Sequence, residues 1–236
     1  LDALQAMIVG SSGFEILSNV RDMGARMRWC DLAVSASGST VWELALFRTP
    51  MLLATASTVE EPVAGSLADA GAAILDVGGE STRPGAKEVT EEEELARVMP
   101  VVEALAADGH VVSVDTRKAA VMARAVSAGA RMINDITALR HDPQSLAVAA
   151  RLDVPVVLMH SRGEPAHMQS LTQYDDLIAN VLAELAARVK ACLAAGMNKH
   201  HLIIDPGLGF AKDAGQSARL LSHMAEFHRL ECPVLI

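Results

Sequence analysis

The sequence predicts an α/β protein: an incomplete (β/α)8 barrel of the TIM type, made of parallel strands, with a small Rossmann-like α/β fragment before it. Three observations predict it. From about residue 70, short apolar runs alternate with amphipathic stretches, the order that builds a parallel sheet. Those runs carry a polar residue at or near their C-terminal ends, namely Asp76, Asp115, Asn134, His160 and Asp205. In a barrel of βα units such ends converge on one face, whereas a doubly wound sheet gathers its ligands around one switch point. Finally, about six such runs follow residue 70, fewer than the eight that close this kind of barrel.

The elements can be taken in order. Residues 1–66 fit the rhythm poorly: Met7–Gly10, Leu32–Ser35 and Pro50–Leu53 suit strands, and Gly38-Ser39-Thr40 opens a helix through Trp42 to Phe47. From residue 67 the pattern is regular. Ala73–Val77 is the first apolar strand, followed by Gly78-Gly79-Glu80-Ser81-Thr82-Arg83-Pro84-Gly85. Thr90 and Glu93 have capping-box spacing for a helix that ends near Gly109. Val111–Thr116, a helix over Ala119–Ala128 closed by Gly129, and Arg131–Ile136 follow. Asp142-Pro143 provides an N-cap with Pro at the first helical position. Val154–His160 is a strand, Tyr174–Ala195 a long helix stopped by Gly196, and His201–Asp205 a strand that leads into Pro206-Gly207-Leu208-Gly209-Phe210. A last helix over Gly215–His228 precedes the apolar Cys232–Ile236.

Composition narrows the function. Of 236 residues 51% are hydrophobic and only 3% aromatic, so Ala, Val, Leu and Met do the packing, as under a buried parallel sheet. A net charge of −9 without a long Lys/Arg cluster argues against a nucleic-acid surface. Cys30, Cys192 and Cys232 are scattered without metal-type spacing and read as reduced thiols of a cytoplasmic protein. No apolar run approaches the length of a membrane span, and no signal peptide is recognisable. The chain begins at Leu1 rather than Met and ends inside what reads as a buried strand, so a piece of a longer protein is expected.

The strand-end residues carry the chemistry. Asp115, Asp205 and the amide of Asn134 would line one pocket. A carboxylate accepts two parallel hydrogen bonds from an amidine-like edge, which a 2-amino-4-oxopteridine presents and a sugar does not. Arg83 offers a planar fork for phosphate or carboxylate oxygens. Singly, a strand-end Asp also serves as a helix cap or turn former; jointly they make a polar pocket.

The segments Asp76–Gly85, Ser113–Thr116, Ile133–Ile136, Leu158–His160 and Asp205–Phe210 resemble, in order and spacing, the successive signatures of dihydropteroate synthases over about residues 68–236. The resemblance implies a (β/α)8 barrel in which Asp115, Asn134 and Asp205 hold the pterin with Met159 on its face. Thr82 and Arg83 would handle pyrophosphate and p-aminobenzoate, and Phe210 and Lys212 would flank the p-aminobenzoate site. Arg83, Asp115 and Asp205 are the implied catalytic residues. The implied reaction displaces pyrophosphate from 6-hydroxymethyl-7,8-dihydropterin pyrophosphate by the aniline nitrogen, with Mg²⁺ neutralising the diphosphate. A homodimer is implied for the intact family.

The departures bear on this. The family's Asn-Val-Thr-Pro-Asp-Ser-Phe-Ser type segment, whose Asn serves the metal, has no match in residues 1–67, so no metal ligand is assigned here. The family's later Ser-Arg-Lys and Arg-x-His segments would lie past Ile236. Leu208 stands where Phe is commoner. Cys30–Leu44 instead resembles the nucleotide-binding part of the nucleotide-sugar hydrolase of pseudaminic acid synthesis, a relative of GT-B glycosyltransferases, whose Gly-Ser-Thr loop faces a diphosphate; Thr40 and Glu43 also make an ordinary capping box. Two domains are therefore expected, 1–66 and 67–236. The competing readings are a pterin-binding module without turnover and an inactive chimera joined near Ala70–Ala73.

Overall fold

The computed structural model describes residues 33–36, 51–55, 72–82 and 86–236. The expected strand Met7–Gly10, the Gly38-Ser39-Thr40 loop with its helix, and Arg83-Pro84-Gly85 lie outside the described residues. Contacts divide the chain into two compact units. One comprises Asn19–Ser81 and Glu88–Asn134; the other comprises Leu1–Ser18, Thr82–Lys87 and Asp135–Ile236.

In the first unit, strands β1 (Ala33–Ala36), β2 (Met51–Thr55), β3 (Leu75–Gly78), β4 (Val112–Asp115) and β5 (Met132–Asp135) pair in sequence order, all parallel. The N-terminal strands thus continue the sheet, with Ala54 opposite Asp76 and Thr55 opposite Val77. They do so although residues 1–67 carry no match to the family's first-strand segment. Parallel pairing needs only extended backbone, which the apolar run Met51–Leu53 supplies.

Side chains alternate across each strand. Leu75, Val77, Val112, Val114 and Ile133 are buried and lie beneath helices α1 (Glu91–Ala107) and α2 (Ala119–Ser127). Helix α1 presents Val98, Val101, Val102 and Leu105, and α2 presents Val121, Met122 and Ala125, at spacings of three and four residues. Each fully buried Val, Leu or Met side chain among them contributes about 1.5–3 kcal/mol. The α1 cap is half the expected box. Thr90 Oγ1 accepts from Glu93 N at 3.1 Å, but the Glu93 carboxylate pairs with Arg97 one turn on.

In the second unit, β6 (Val156–Met159) and β7 (Leu202–Asp205) pair in parallel. The apolar C-terminal run adds a parallel bridge, Ile204 to Val234. Helices α3 (Ser145–Leu152), α4 (Leu177–Ala194) and α5 (Ala214–Ser222) complete the unit. Two expected helices differ. Asp142 is spent in a turn, accepting from Gln144 N at 2.8 Å, so α3 starts beyond Pro143. The last helix breaks at His223 into a 3-10 turn, Met224–Leu230, which buries Phe227.

Candidate active site

Strand register brings the expected residues onto the half-exposed face of the first unit's sheet. Gly78, Asp115 and Asn134 are successive partners across β3, β4 and β5, two residues nearer the C-terminal ends than the Asp76–Ser113–Met132 row. Gly78 leaves room for Asp115: a Cβ at 78 would lie 3.3 Å from the Asp115 Cβ and Oδ2. Asn134 Nδ2 donates to Asp76 Oδ2 at 2.9 Å. Burial raises the Asp76 carboxyl above its ordinary value, against the hydrogen bond from Asn134. The amide oxygen of Asn134 remains an acceptor beside Asp115.

Behind that face lies a cluster that sequence reasoning missed. Glu80, Glu94, Thr116, Arg117 and Lys118 are all less than a tenth exposed. Arg117 donates from Nε at 2.7 Å and from a terminal nitrogen at 2.6 Å to Glu80 Oε1. Lys118 pairs with Glu80 and, at 2.6 Å, with Glu94. Thr116 Oγ1 donates to the other Glu94 oxygen. Burial works against the charge on Glu80, but Lys118 and Arg117 outweigh it and hold the carboxyl below its ordinary value. Two anions and two cations thus neutralise one another in the interior. The available signal was the pair Arg117-Lys118 directly after Asp115-Thr116, with Glu80 in the Gly-rich run.

In the second unit, Met159 and Asp205 end neighbouring strands as register partners. Met159 is 4% exposed. Gly207 N donates to Asp205 Oδ1 at 2.7 Å, and burial pushes the carboxyl up to about 6. Gly207 has φ +69, and a Cβ there would sit 2.1 Å from the His160 carbonyl oxygen, so only glycine fits.

Lys212, expected to flank the p-aminobenzoate site, has its ammonium turned inward. It is 2% exposed, and Nζ meets His160 Nδ1 at 2.9 Å and the carbonyls of Gly207, Phe210 and His160 at 2.9, 2.8 and 3.2 Å. With four acceptors in reach, each of the three donors of an ammonium finds a partner. Burial pulls Lys212 down to about 7 while Asp205 and Glu184 pull it back up. His160 Nε2 lies 3.0 Å from Glu184 Oε2. With Nδ1 accepting from Lys212, Nε2 carries the proton and donates. Burial and the Lys212 charge hold this imidazole well below its ordinary value, so it is neutral. Arg162 also pairs with Glu184 and stacks 4.0 Å over the Tyr174 ring, whose hydroxyl donates to Ala211 O at 3.0 Å. Gln169 donates to Gly209 O at 2.9 Å. The loop bearing half-buried Phe210 is therefore held through four of its carbonyls. Thr82 is half-buried in the loop after β3.

The geometry agrees with three comparisons. The model of the pterin binding enzyme family matches residues 54–236, beginning inside β2. The dihydropteroate synthase of Escherichia coli K12 is 47% identical over 169 residues, 71% of this chain and 60% of that one; the chain thus spans three fifths of that relative's length. Two solved structures show the same fold. The Yersinia pestis dihydropteroate synthase with a sulfonamide drug has TM-score 0.71 and 45% identity over 75% of this chain and 63% of that one. The Xanthomonas albilineans dihydropteroate synthase with 4-aminobenzoic acid has TM-score 0.69 and 40% identity over 86% and 70%. The parallel βα order is accordingly that of the TIM-type (β/α)8 class. On its strand-end carboxylates, its loop glycines and these likenesses, the chain belongs to the pterin binding enzymes, among the dihydropteroate synthases.

Proposed function

We propose that the chain carries the pterin-binding part of a dihydropteroate synthase, which joins 6-hydroxymethyl-7,8-dihydropterin pyrophosphate to p-aminobenzoate. The aniline nitrogen attacks the pterin methylene, the C–O bond to pyrophosphate breaks, and the nitrogen loses a proton. The carrying observation is the side-by-side placement of Asp115 and Asn134 at the ends of β4 and β5, on a face whose neighbouring carboxyl, Asp76, is raised by burial. Desolvated acceptors of this kind recognise an amidine edge more strongly than solvated ones. By the family resemblance Asp205 would supply a second carboxyl; within its own unit it is the register partner of Met159.

Under this reading Asp115, Asn134 and Asp205 hold the pterin, and the two carboxylates stabilise positive charge that develops on it as pyrophosphate leaves. Thr82 and Arg83 receive the diphosphate, and Phe210 borders p-aminobenzoate. Lys212 acts through its loop. Among the described residues no group of three or more His, Cys, Asp or Glu side chains converges to cage a metal. Mg²⁺ is usually held by one or two protein ligands together with substrate phosphates and water, so it would arrive with the diphosphate. The pterin-binding part is assigned to 67–236 after an α/β fragment of 1–66; the family match over 54–236 supports the larger part. No helix among the described residues is long and apolar enough to cross a membrane; the proposed setting is the cytoplasm, with small molecules as partners, no nucleic acid, and a homodimer as the assembly.

The test is calorimetric binding of 6-hydroxymethylpterin to the whole chain, beside a pyrophosphate-release assay with both substrates. Asp115→Asn and Asp205→Asn should each weaken pterin binding at least about tenfold. Unchanged affinity in both variants would refute the assignment. Pterin binding without p-aminobenzoate-dependent pyrophosphate release would favour a module without turnover.

A further inference from the structure

The buried cluster of Glu80, Glu94, Arg117 and Lys118 has no place among the groups that meet substrate. Its connections nonetheless run to both ends of one loop. Glu80 sits two residues past the end of β3, at the point where the chain leaves for Thr82. Its Oε1 is held by Arg117 at 2.7 and 2.6 Å, and its Oε2 by Lys118. The same Oε2 accepts from Val89 N at 3.3 Å, where the chain returns to enter α1. Arg117 reaches Glu88 at 3.7 Å on that returning limb. From outside, Arg97 on α1 donates to Gly79 O at 2.8 Å. Gly79 itself is pressed against α1: a Cβ there would lie 2.8 Å from Val98 Cγ2 and 3.0 Å from Glu94. The lower half of the cluster fixes the end of β4. Thr116, one residue after Asp115, donates from Oγ1 to Glu94, and its N–H donates to Asn134 O at 3.0 Å.

A purely structural salt bridge would tie two elements together. This one instead ties residue 80 to residues 88 and 89, and both to the strand end that bears Asp115. We propose that Glu80 and Arg117 are positioning residues: their ion pair sets the two ends of the loop carrying Thr82 at a fixed separation beside Asp115. The idea rests on the reading that this loop receives the diphosphate. Arg117 is the better partner than a second lysine because its planar fork grips one carboxylate oxygen from two nitrogens at once. The acceptor left on Glu80 is then free for Lys118 and for Val89 N. Held ends narrow the range of positions that Thr82 can take beside Asp115.

Three proteins test this: the unaltered chain, Glu80→Gln and Arg97→Ala. The last removes only a half-exposed side chain, so folding should survive it. Two readouts are taken on each. Amide hydrogen exchange at residues 81, 82 and 86–89 should quicken at least about tenfold in Glu80→Gln and about threefold in Arg97→Ala, with β4 and β5 unchanged. Titration with inorganic pyrophosphate should show its Kd rising about tenfold in Glu80→Gln, while 6-hydroxymethylpterin binds within twofold of the unaltered chain. Exchange that stays the same in both variants, or that quickens evenly along the whole chain, overturns the proposal. So does an equal loss of pyrophosphate and pterin affinity. If the unaltered chain binds neither ligand, the functional reading fails, and the exchange data alone decide whether the loop ends are held.

Discussion

Lys212 Nζ lies 2.9 Å from Nδ1 of His160, and this contact ties the loop after β7 to the end of the neighbouring strand β6. Residues 160 and 212 are far apart in sequence, yet the ammonium joins the end of β6 to the carbonyls of Gly207 and Phe210. Lys212→Met should leave several buried acceptors unserved, at about 1–3 kcal/mol for each that finds no water. The expected result is a stability loss of about 2 kcal/mol or more in urea titrations, with weakened p-aminobenzoate binding and nearly normal pterin binding. A variant of unchanged stability, defective only in pyrophosphate binding, would show that Lys212 meets substrate instead.

Gly207→Ala is expected to be among the most damaging single changes in the second unit. The residue combines a left-handed φ of +69 with a Cβ position 2.1 Å from the His160 carbonyl oxygen. The conformational penalty alone is about 1–2 kcal/mol, and relieving the clash would pull Gly207 N off Asp205 and Gly207 O off Lys212. A thermal melt should show a fall in Tm of several degrees together with loss of pterin binding. Gly209→Ala is the control. It shares a positive φ of +79 but meets nothing within 4 Å, so it should cost only the conformational part.

The proton on Asp205 gives a pH-dependent expectation. Burial raises this carboxyl from an ordinary 3.8 to about 6, with Lys212 and the Gly207 amide working in the opposite direction. The folded protein therefore holds the proton more tightly than the unfolded chain does. This group favours the folded state most below about pH 4 and loses that advantage as pH rises through about 6. Pterin binding runs the other way, because the amidine edge requires the carboxylate. Affinity for 6-hydroxymethylpterin should tighten about tenfold between pH 5 and pH 7, and Asp205→Asn should bind weakly with a flat profile. An unaltered chain with a flat profile would refute the role of Asp205.

The strands were legible because each is a short apolar run with polar flanks, and the sheet's buried face follows from alternation alone. Asp115, Asn134 and Asp205 were legible for the same reason, as polar residues where apolar runs stop. Other features depend on partners distant in sequence. Glu80 meets Arg117 and Lys118 across almost forty residues, and no local pattern marks an ion pair of that span. Lys212 was expected to flank the p-aminobenzoate site, and nothing local foretold its burial, which depends on where β6 ends. The start of α3 was misplaced because Asp142 satisfies a turn N–H as readily as a helix cap.

Asn134 supplies the last expectation. Its Nδ2 donates to Asp76 Oδ2 at 2.9 Å, and Asp76 is already raised by burial. Asn134→Asp is nearly isosteric but turns that donor into a second carboxyl at hydrogen-bond distance. Two carboxylates so placed cannot both ionise cheaply, so they should share one proton, with the upper apparent pKa of the pair raised further. The sign follows from linkage: the folded variant holds a proton that the unfolded chain releases near pH 4, so its stability is greatest in acid and falls as pH rises through the raised value. Relative to the unaltered chain, Asn134→Asp should lose about 1–3 kcal/mol at pH 8 and recover most of it at pH 5. Asn134→Ala, which removes the donor without adding charge, should show a loss that varies much less with pH. Urea titrations of the three proteins at both pH values measure this directly. An Asn134→Asp deficit that is equal at pH 5 and pH 8 would mean that the two side chains do not share a proton, and that the 2.9 Å contact is not maintained in solution.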